Sequence, residues 1–172
     1  MSGSLELISS QTISASTSSI DFDNVFSAKY DVYKIINSKL STVAALNGST
    51  DTRLLDSTGT VISASEYDYA QLVLRTDSAF GERKATGATS LSQFFGGTDN
   101  HPESMGAVAY VFNPFDSSSY TFFTSQVSYA VASVYRGFKN IGVHKSAESC
   151  RGFRIFTSQN VDEGVITVYG VK

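Results

Sequence analysis

The chain has 172 residues, 41% of them hydrophobic and 17% charged, with a formal net charge of -3. This length suits a single domain, residues 1–172, that buries about 70% of its unfolded surface. The mild charge without a basic stripe argues against a nucleic acid partner, and no apolar run approaches the ~18 residues of a membrane span. The one cysteine, Cys150, excludes an internal disulfide and a multi-cysteine zinc site.

Alternating apolar and polar residues dominate positions 1–75. The segments LELISSQTIS, STSSIDFDNV and KYDVYKIINSKL each predict a strand, and the third has apolar residues on both faces. Turns are indicated by Asn47-Gly48 and Thr58-Gly59, which lie between strand-like runs. The segment SASEYDYAQLVLR combines a helix-cap spacing with a strand-like run, so we interpret it as a strand with a short helical entry.

Residues 76–105 show no sustained periodicity and predict one long loop. Long loops are uncommon in compact domains and are often functional. Three aromatic residues within this segment, Phe80, Phe94 and Phe95, must be buried somewhere. They pack either on the domain's own core, which is the simpler interpretation, or in an interface with another subunit or a partner.

The second half of the chain has the clearest strand patterns. GAVAYVFNPFD, YTFFTSQVSYAVAS and VYRGFKNIGVHKS each predict a strand, and CRGFRIFTSQN and EGVITVYGVK predict a final pair joined by a turn at residues 158–163. In the last strand we expect Ile166 and Val168 to face the core and Tyr169 to face the opposite side. Gly170 allows a close backbone approach or a bulge there. About eight or nine evenly spaced strands predict an all-β fold, an antiparallel β-sandwich of jelly-roll type.

No combination of residues indicates a catalytic or metal site. Neither His101 nor His144 has the spacing of a metal motif, and His144 is more simply a solvated or cross-strand histidine. Cys150, without a base beside it, is more simply a small buried residue. Asp21 and Asp23 share one face of a strand, which is typical of a solvated edge rather than of a glycosidase pair. We therefore expect a protein that is not an enzyme and that has no cofactor and no bound metal.

Three segments resemble small bacteriophage structural proteins. The ending GFRIFTSQNVDEGVITVYGVK, residues 152–172, is similar to their C-terminal signature, in which an Arg-Ile/Phe strand leads through a polar stretch to G-x-I-x-V/L-Y-G-I/V-K. The opening LELISSQTISASTSSIDFDNVFSAKYDVYKIIN and the strand GAVAYVFNPFD also resemble segments of these proteins. Together the three segments cover roughly half of the chain, and residues 76–105 lie outside the resemblance.

The resemblance implies a jelly-roll domain from a phage particle, usually a homotrimer, with no defined functional residues to carry over. Its expected location is the virion, either as a head decoration (cement) protein bound to the major capsid protein or as a tail or head fibre protein for host attachment. Strand-like sequence begins at about Leu5, with no docking segment or repetitive shaft before it, so we favour decoration. A carbohydrate-binding module remains a further alternative.

Overall fold

The computed structural model describes residues 4–42, 49–97, 105–131 and 134–172. Within these ranges it contains no helix, and thus none that could span a membrane. It contains eleven β-strands. Their bounds are β1 Leu5–Ile13, β2 Thr17–Phe22, β3 Val32–Thr42, β4 Ser49–Asp56, β5 Tyr67–Arg75, β6 Gly81–Ala88, β7 Leu91–Gly97, β8 Met105–Phe112, β9 Thr121–Val131, β10 Val134–His144 and β11 Cys150–Val171.

All the paired strands are antiparallel and belong to one hydrogen-bonded sheet. Its order is β6-β5-β10-β9-β8-β3-β11-β4-β7, and β1 and β2 add to β11 outside this path. The prediction of an antiparallel all-β fold is therefore confirmed. The two separate sheets of a jelly-roll sandwich are not confirmed, because the strands pair continuously from β6 to β7.

Strand β11 joins the two halves of this sheet. Residues 150–157 of β11 pair with β4 on one side and, in part, with β2 on the other. Residues 161–170 pair with β3, and residues 164–171 pair with β1. The predicted turn at residues 158–163 is wrong: the strand continues through this polar stretch, with register shifts at its junctions. The ladders that flank this stretch, with β4 and β2 before it and with β3 and β1 after it, hold it extended although its composition is typical of a turn.

The segment at residues 76–105 is not one long loop. It contains β6 and β7, and residues 98–104 lie outside the described part of the chain. Strand β6 forms an edge of the sheet and carries Glu82, Arg83 and Lys84, charged residues that discourage pairing with another chain. Strand β7 lies at the other end and packs across β8 and β9, so the sheet curls over and encloses a core.

Polar side chains from the inner face of the sheet hold β7 in this position. Buried amides of Gln71, Asn140 and Asn37 donate hydrogen bonds to β7 carbonyls at 2.6, 3.1 and 2.7 Å. The Thr50 hydroxyl donates to a fourth carbonyl. Because β7 has a ladder partner on one side only, these donors satisfy backbone groups that would otherwise be buried without a partner.

Close packing around β7 and the last strand depends on two glycines. A Cβ at Gly142 on β10 would lie 2.7 Å from the Phe94 ring, so the glycine leaves room for β7. A Cβ at Gly170 would lie 2.6 Å from the ring of Tyr30, which confirms the predicted close approach. Ile166 and Val168 are fully buried, as predicted for the core face of this strand.

The turn signals have different outcomes. At Thr58-Gly59 the chain turns after β4: Gly59 has a φ of 89°, and its amide donates to the Asp56 carbonyl at 3.0 Å. Asn47-Gly48 lies outside the described residues. The strand interpretation of SASEYDYAQLVLR is confirmed by β5, but its short helical entry is wrong, because the residues before Tyr67 form bends and coil.

Candidate functional site

The side of β5, β10, β9, β8 and β3 that faces away from the core is a candidate binding surface. We call it the outer face. Cross-strand register places side chains of all five strands in rows on it. Two of these rows are Leu72–Lys139–Gln126–Val108–Ile36 and Ala70–Ile141–Thr124–Tyr110–Lys34.

Large apolar side chains on the outer face are exposed to solvent. Ile141 is 63% exposed, Phe122 is 48% exposed and Leu72 is 43% exposed. Single exposed apolar residues are ordinary, but grouped ones on a monomer's surface mark an interaction site. Strand β8 carries apolar residues on both faces, whereas the outward positions of β9 include Thr124, Gln126 and Ser128. Exposed apolar positions of this kind are consistent with an interaction surface.

A shallow open depression of about 780 Å³ crosses the outer face. Three small residues paired across β10, β9 and β8, namely Gly137, Ser128 and Gly106, line it. Phe80 and Tyr135 also line it, and they are 68% and 65% exposed. The described residues that line this depression include no carboxylate, histidine or cysteine, and its polar lining comes from residues such as Gln126, Ser128 and Lys139.

The aromatic residues singled out in the sequence separate into two groups. Phe94 and Phe95 have no exposed surface and lie in the core, which favours the interpretation that they pack on the chain's own fold. The Phe94 ring packs edge-on against Phe123 at 6.2 Å, and the Phe95 ring stacks on Phe153 at 5.6 Å. Phe80 is exposed beside the depression, where an interface role for it stays a prediction.

A second candidate site lies at the end of β10. His144 is fully buried, and its Nε2 lies 3.1 Å from Oε2 of Glu66 and 3.7 Å from Oε1 of Glu148. The imidazole also packs against the ring of Tyr67, its cross-strand partner, at 4.9 Å between centroids. His144 is therefore a buried cross-strand histidine, and the interpretation of it as a solvated histidine is wrong. Glu66 is 78 residues distant in the chain, so no local spacing could reveal the cluster.

The remaining candidate residues have structural environments. Burial raises the pKa of the Cys150 thiol to about 12, so the thiolate needed of a nucleophile is scarce at neutral pH. Asp21 and Asp23 are not free edge carboxylates, because Arg154 of β11 forms an ion pair with Asp21 and Arg151 of β11 forms one with Asp23. The Arg151 guanidinium lowers the pKa of Asp23.

No protein-family model and no curated protein matches the chain. Among solved structures, the chain is similar to the CBM2 module of an evolved Dit of Lactobacillus casei BL23 phage J-1, with a TM-score of 0.23 and 16% sequence identity. The match covers 84% of this chain and 68% of that chain. A likeness at this TM-score assigns neither fold nor function.

Proposed function

We propose that the chain is a non-catalytic structural protein of a bacteriophage virion, and specifically a head decoration protein that binds the capsid surface as a homotrimer. The observation that carries this proposal is the uncovered outer face, where apolar side chains such as Ile141 and Leu72 are exposed. The resemblance of the first, middle and last segments to phage structural proteins supports the same class.

Burial of the outer face would favour association. Removing apolar surface from water contributes roughly 25 cal/mol per Å², and a stable protein interface buries on the order of 800 Å² per partner. A five-stranded face with small residues along its depression offers a broad surface of this kind. We assign this face to contacts between copies of the chain, where in a cyclic trimer it would pack against a different patch of the neighbouring copy.

A second candidate function is attachment to a bacterial surface glycan, as a fibre protein or a carbohydrate-binding module. Phe80 and Tyr135 favour it, because exposed aromatic rings beside a depression offer an apolar platform with polar neighbours. Gln126 and Lys139 supply hydrogen-bond donors on the same surface. The two functions differ in how many copies a particle carries.

Copy number in purified virions tests the proposal. We expect hundreds of copies per particle, measured from stained gel bands against the major capsid protein. The same preparation disrupted into heads and tails should retain the protein with the heads. A few dozen copies or fewer would contradict decoration and favour attachment, whereas complete absence from the particle would contradict both virion roles and leave a free carbohydrate-binding module.

A further inference from the structure

The cluster of Glu66, His144 and Glu148 combines donors from three separate positions in the fold. His144 ends β10, Glu66 directly precedes β5, and Glu148 lies in the connection from β10 to β11. The donor atoms of the three side chains lie within 4.8 Å of one another. A fully buried imidazole aimed at two carboxylates distinguishes this cluster from an ordinary acidic surface patch.

The donor separations fit a small divalent cation. Zinc binds imidazole nitrogen and carboxylate oxygen at about 2.0–2.2 Å, so neighbouring donors in a tetrahedral site lie roughly 3.3–3.5 Å apart. The Nε2 of His144 is 3.1 Å from Glu66 and 3.7 Å from Glu148, distances on either side of this value. Small side-chain rotations would therefore place all three donors around one ion.

The backbone that carries the donors is fixed by hydrogen bonds. The Lys145 amide donates to the Glu66 carbonyl at 2.8 Å, which ties the end of β10 to the start of β5. The Cys150 amide donates to the Pro114 carbonyl at 2.7 Å, which anchors the residues after Glu148. A donor set on such a fixed frame loses little conformational freedom when it binds an ion.

The charge balance and access of the cluster also suit a cation. Lys145, the sequence neighbour of His144, pairs with Asp68 at 2.9 Å, whereas both glutamates approach the histidine. The side chains of Glu66 and Glu148 are 39% and 34% exposed, so an ion can enter from solvent and keep water as its remaining ligands.

We propose that Glu66, His144 and Glu148 bind a first-row divalent transition metal ion of the zinc type. Imidazole nitrogen together with carboxylate oxygen favours such ions over magnesium and calcium, which prefer oxygen ligands alone. The bound ion would connect the start of β5, the end of β10 and the following connection, so its role would be to stabilise this end of the sheet. The proposal is independent of the virion function.

The histidine tautomer sets the expected affinity. A metal on Nε2 requires the imidazole proton on Nδ1, and Nδ1 has no hydrogen-bond partner within the described residues. Loss of such a second partner commonly lowers metal affinity 10–100-fold. We therefore expect Zn²⁺ to bind with a dissociation constant roughly 10–100-fold weaker than that of a structural zinc site.

Calorimetric titration of the tag-free full chain with Zn²⁺ tests the site. We expect one saturable site per chain and, at a hundredfold excess of free Zn²⁺ over the dissociation constant, a rise in Tm of roughly 5–10 °C. Glu148→Gln and Glu66→Gln each remove a charged donor while keeping the side-chain size, and each should weaken binding at least tenfold. Mg²⁺ should produce no comparable binding.

Glu163→Gln is the matched control, because Glu163 is an exposed carboxylate paired with Lys39 away from the cluster. It should bind Zn²⁺ as the wild type does, and circular dichroism should show all three variants folded. The proposal is overturned if the wild type shows no saturable binding up to about 1 mM Zn²⁺. It is equally overturned if both cluster variants bind as tightly as the control, or if Mg²⁺ binds as well as Zn²⁺.

Discussion

Phe153 lies at the centre of a group of aromatic rings that connects several strands. Its ring stacks on Phe22 of β2 at 4.8 Å, on Phe95 of β7 at 5.6 Å and on Phe26 at 5.8 Å. Such pairs contribute about 0.5–1.5 kcal/mol each beyond the burial of their area. Strand β7 is thereby packed against the first half of β11 as well as hydrogen bonded through its carbonyls.

Phe153→Ala should lower the free energy of unfolding by about 3–5 kcal/mol, because it leaves a cavity between rings that the rigid sheet cannot close. Urea denaturation followed by circular dichroism measures the change. Leu7→Ala is the matched control: Leu7 is 61% exposed on β1, outside the five strands of the outer face, so its truncation should cost under about 1 kcal/mol. Equal effects of the two substitutions would contradict the central position of Phe153.

Single residues show where sequence patterns stop being informative. Burial of Phe94 and Phe95 follows from their apolar character, whereas their location inside a curled sheet depends on strands far away in the chain. Asn37, Gln71 and Asn140 occupy core positions that a polar residue normally avoids. Their reason for being there is the backbone of β7, which no local pattern can show.

At the scale of elements, β11 has the most strand partners, because it pairs with β1, β2, β3 and β4. Its second half forms ladders with β1 and β3 at once, and Lys172, the residue after it, pairs with Glu6 of β1 at 2.7 Å. The pKa of Glu6 is lowered to about 2 by Lys172 and Lys29. These ion pairs are exposed, so the ladders and the buried apolar side chains dominate the attachment of β1.

Deletion of residues 164–172 should give an insoluble or unfolded product. It removes the buried Ile166 and Val168, each worth about 1.5–3 kcal/mol, and leaves facing edges of β1 and β3 without a partner. Lys172→Ala is the control, since it removes one exposed ion pair and should leave folding intact. A truncated chain that stays soluble and unfolds cooperatively would show that β11 is not essential.

The element predictions failed where polar composition imitates a turn or a loop. Residues 158–163 are rich in polar side chains, yet the strand continues because ladders on both sides hold its two ends. Strand β6 is exposed over most of its length, and β7 is buried on both sides, so neither shows a clean alternation. Strand β9 was predictable because its residues alternate and one face packs on the core, and β8 was predictable because its run of apolar residues is continuous.

At the scale of the molecule, the all-β class follows from local patterns, whereas the strand order follows from long-range pairing. The path β10-β9-β8 consists of sequence neighbours, but the adjacent β3 and β11 come from opposite ends of the chain. Their pairing and the curl that covers β7 decide which face remains outside. The outer face and the cluster around His144 are consequences of this order, so the sequence alone could not locate them.

Light scattering on the purified protein should give a mass close to three times the 18.5 kDa of the chain. Ile141→Lys should shift this mass to the monomer, because a charge at a position buried between copies costs several kcal/mol without a partner. Leu7→Lys is the control, since Leu7 is 61% exposed but lies on β1, outside the five strands of the outer face. It should remain trimeric.

Each outcome bears on a different part of the proposal. A wild-type monomer at micromolar concentration would contradict the homotrimer and remove the main physical support for decoration. A trimer that Ile141→Lys leaves intact would place the interface elsewhere, and the outer face would then be free to bind the capsid or a glycan. A trimer lost only in Ile141→Lys, with circular dichroism unchanged, assigns the outer face to contacts between copies, because the substitution alters one exposed side chain and no core contact.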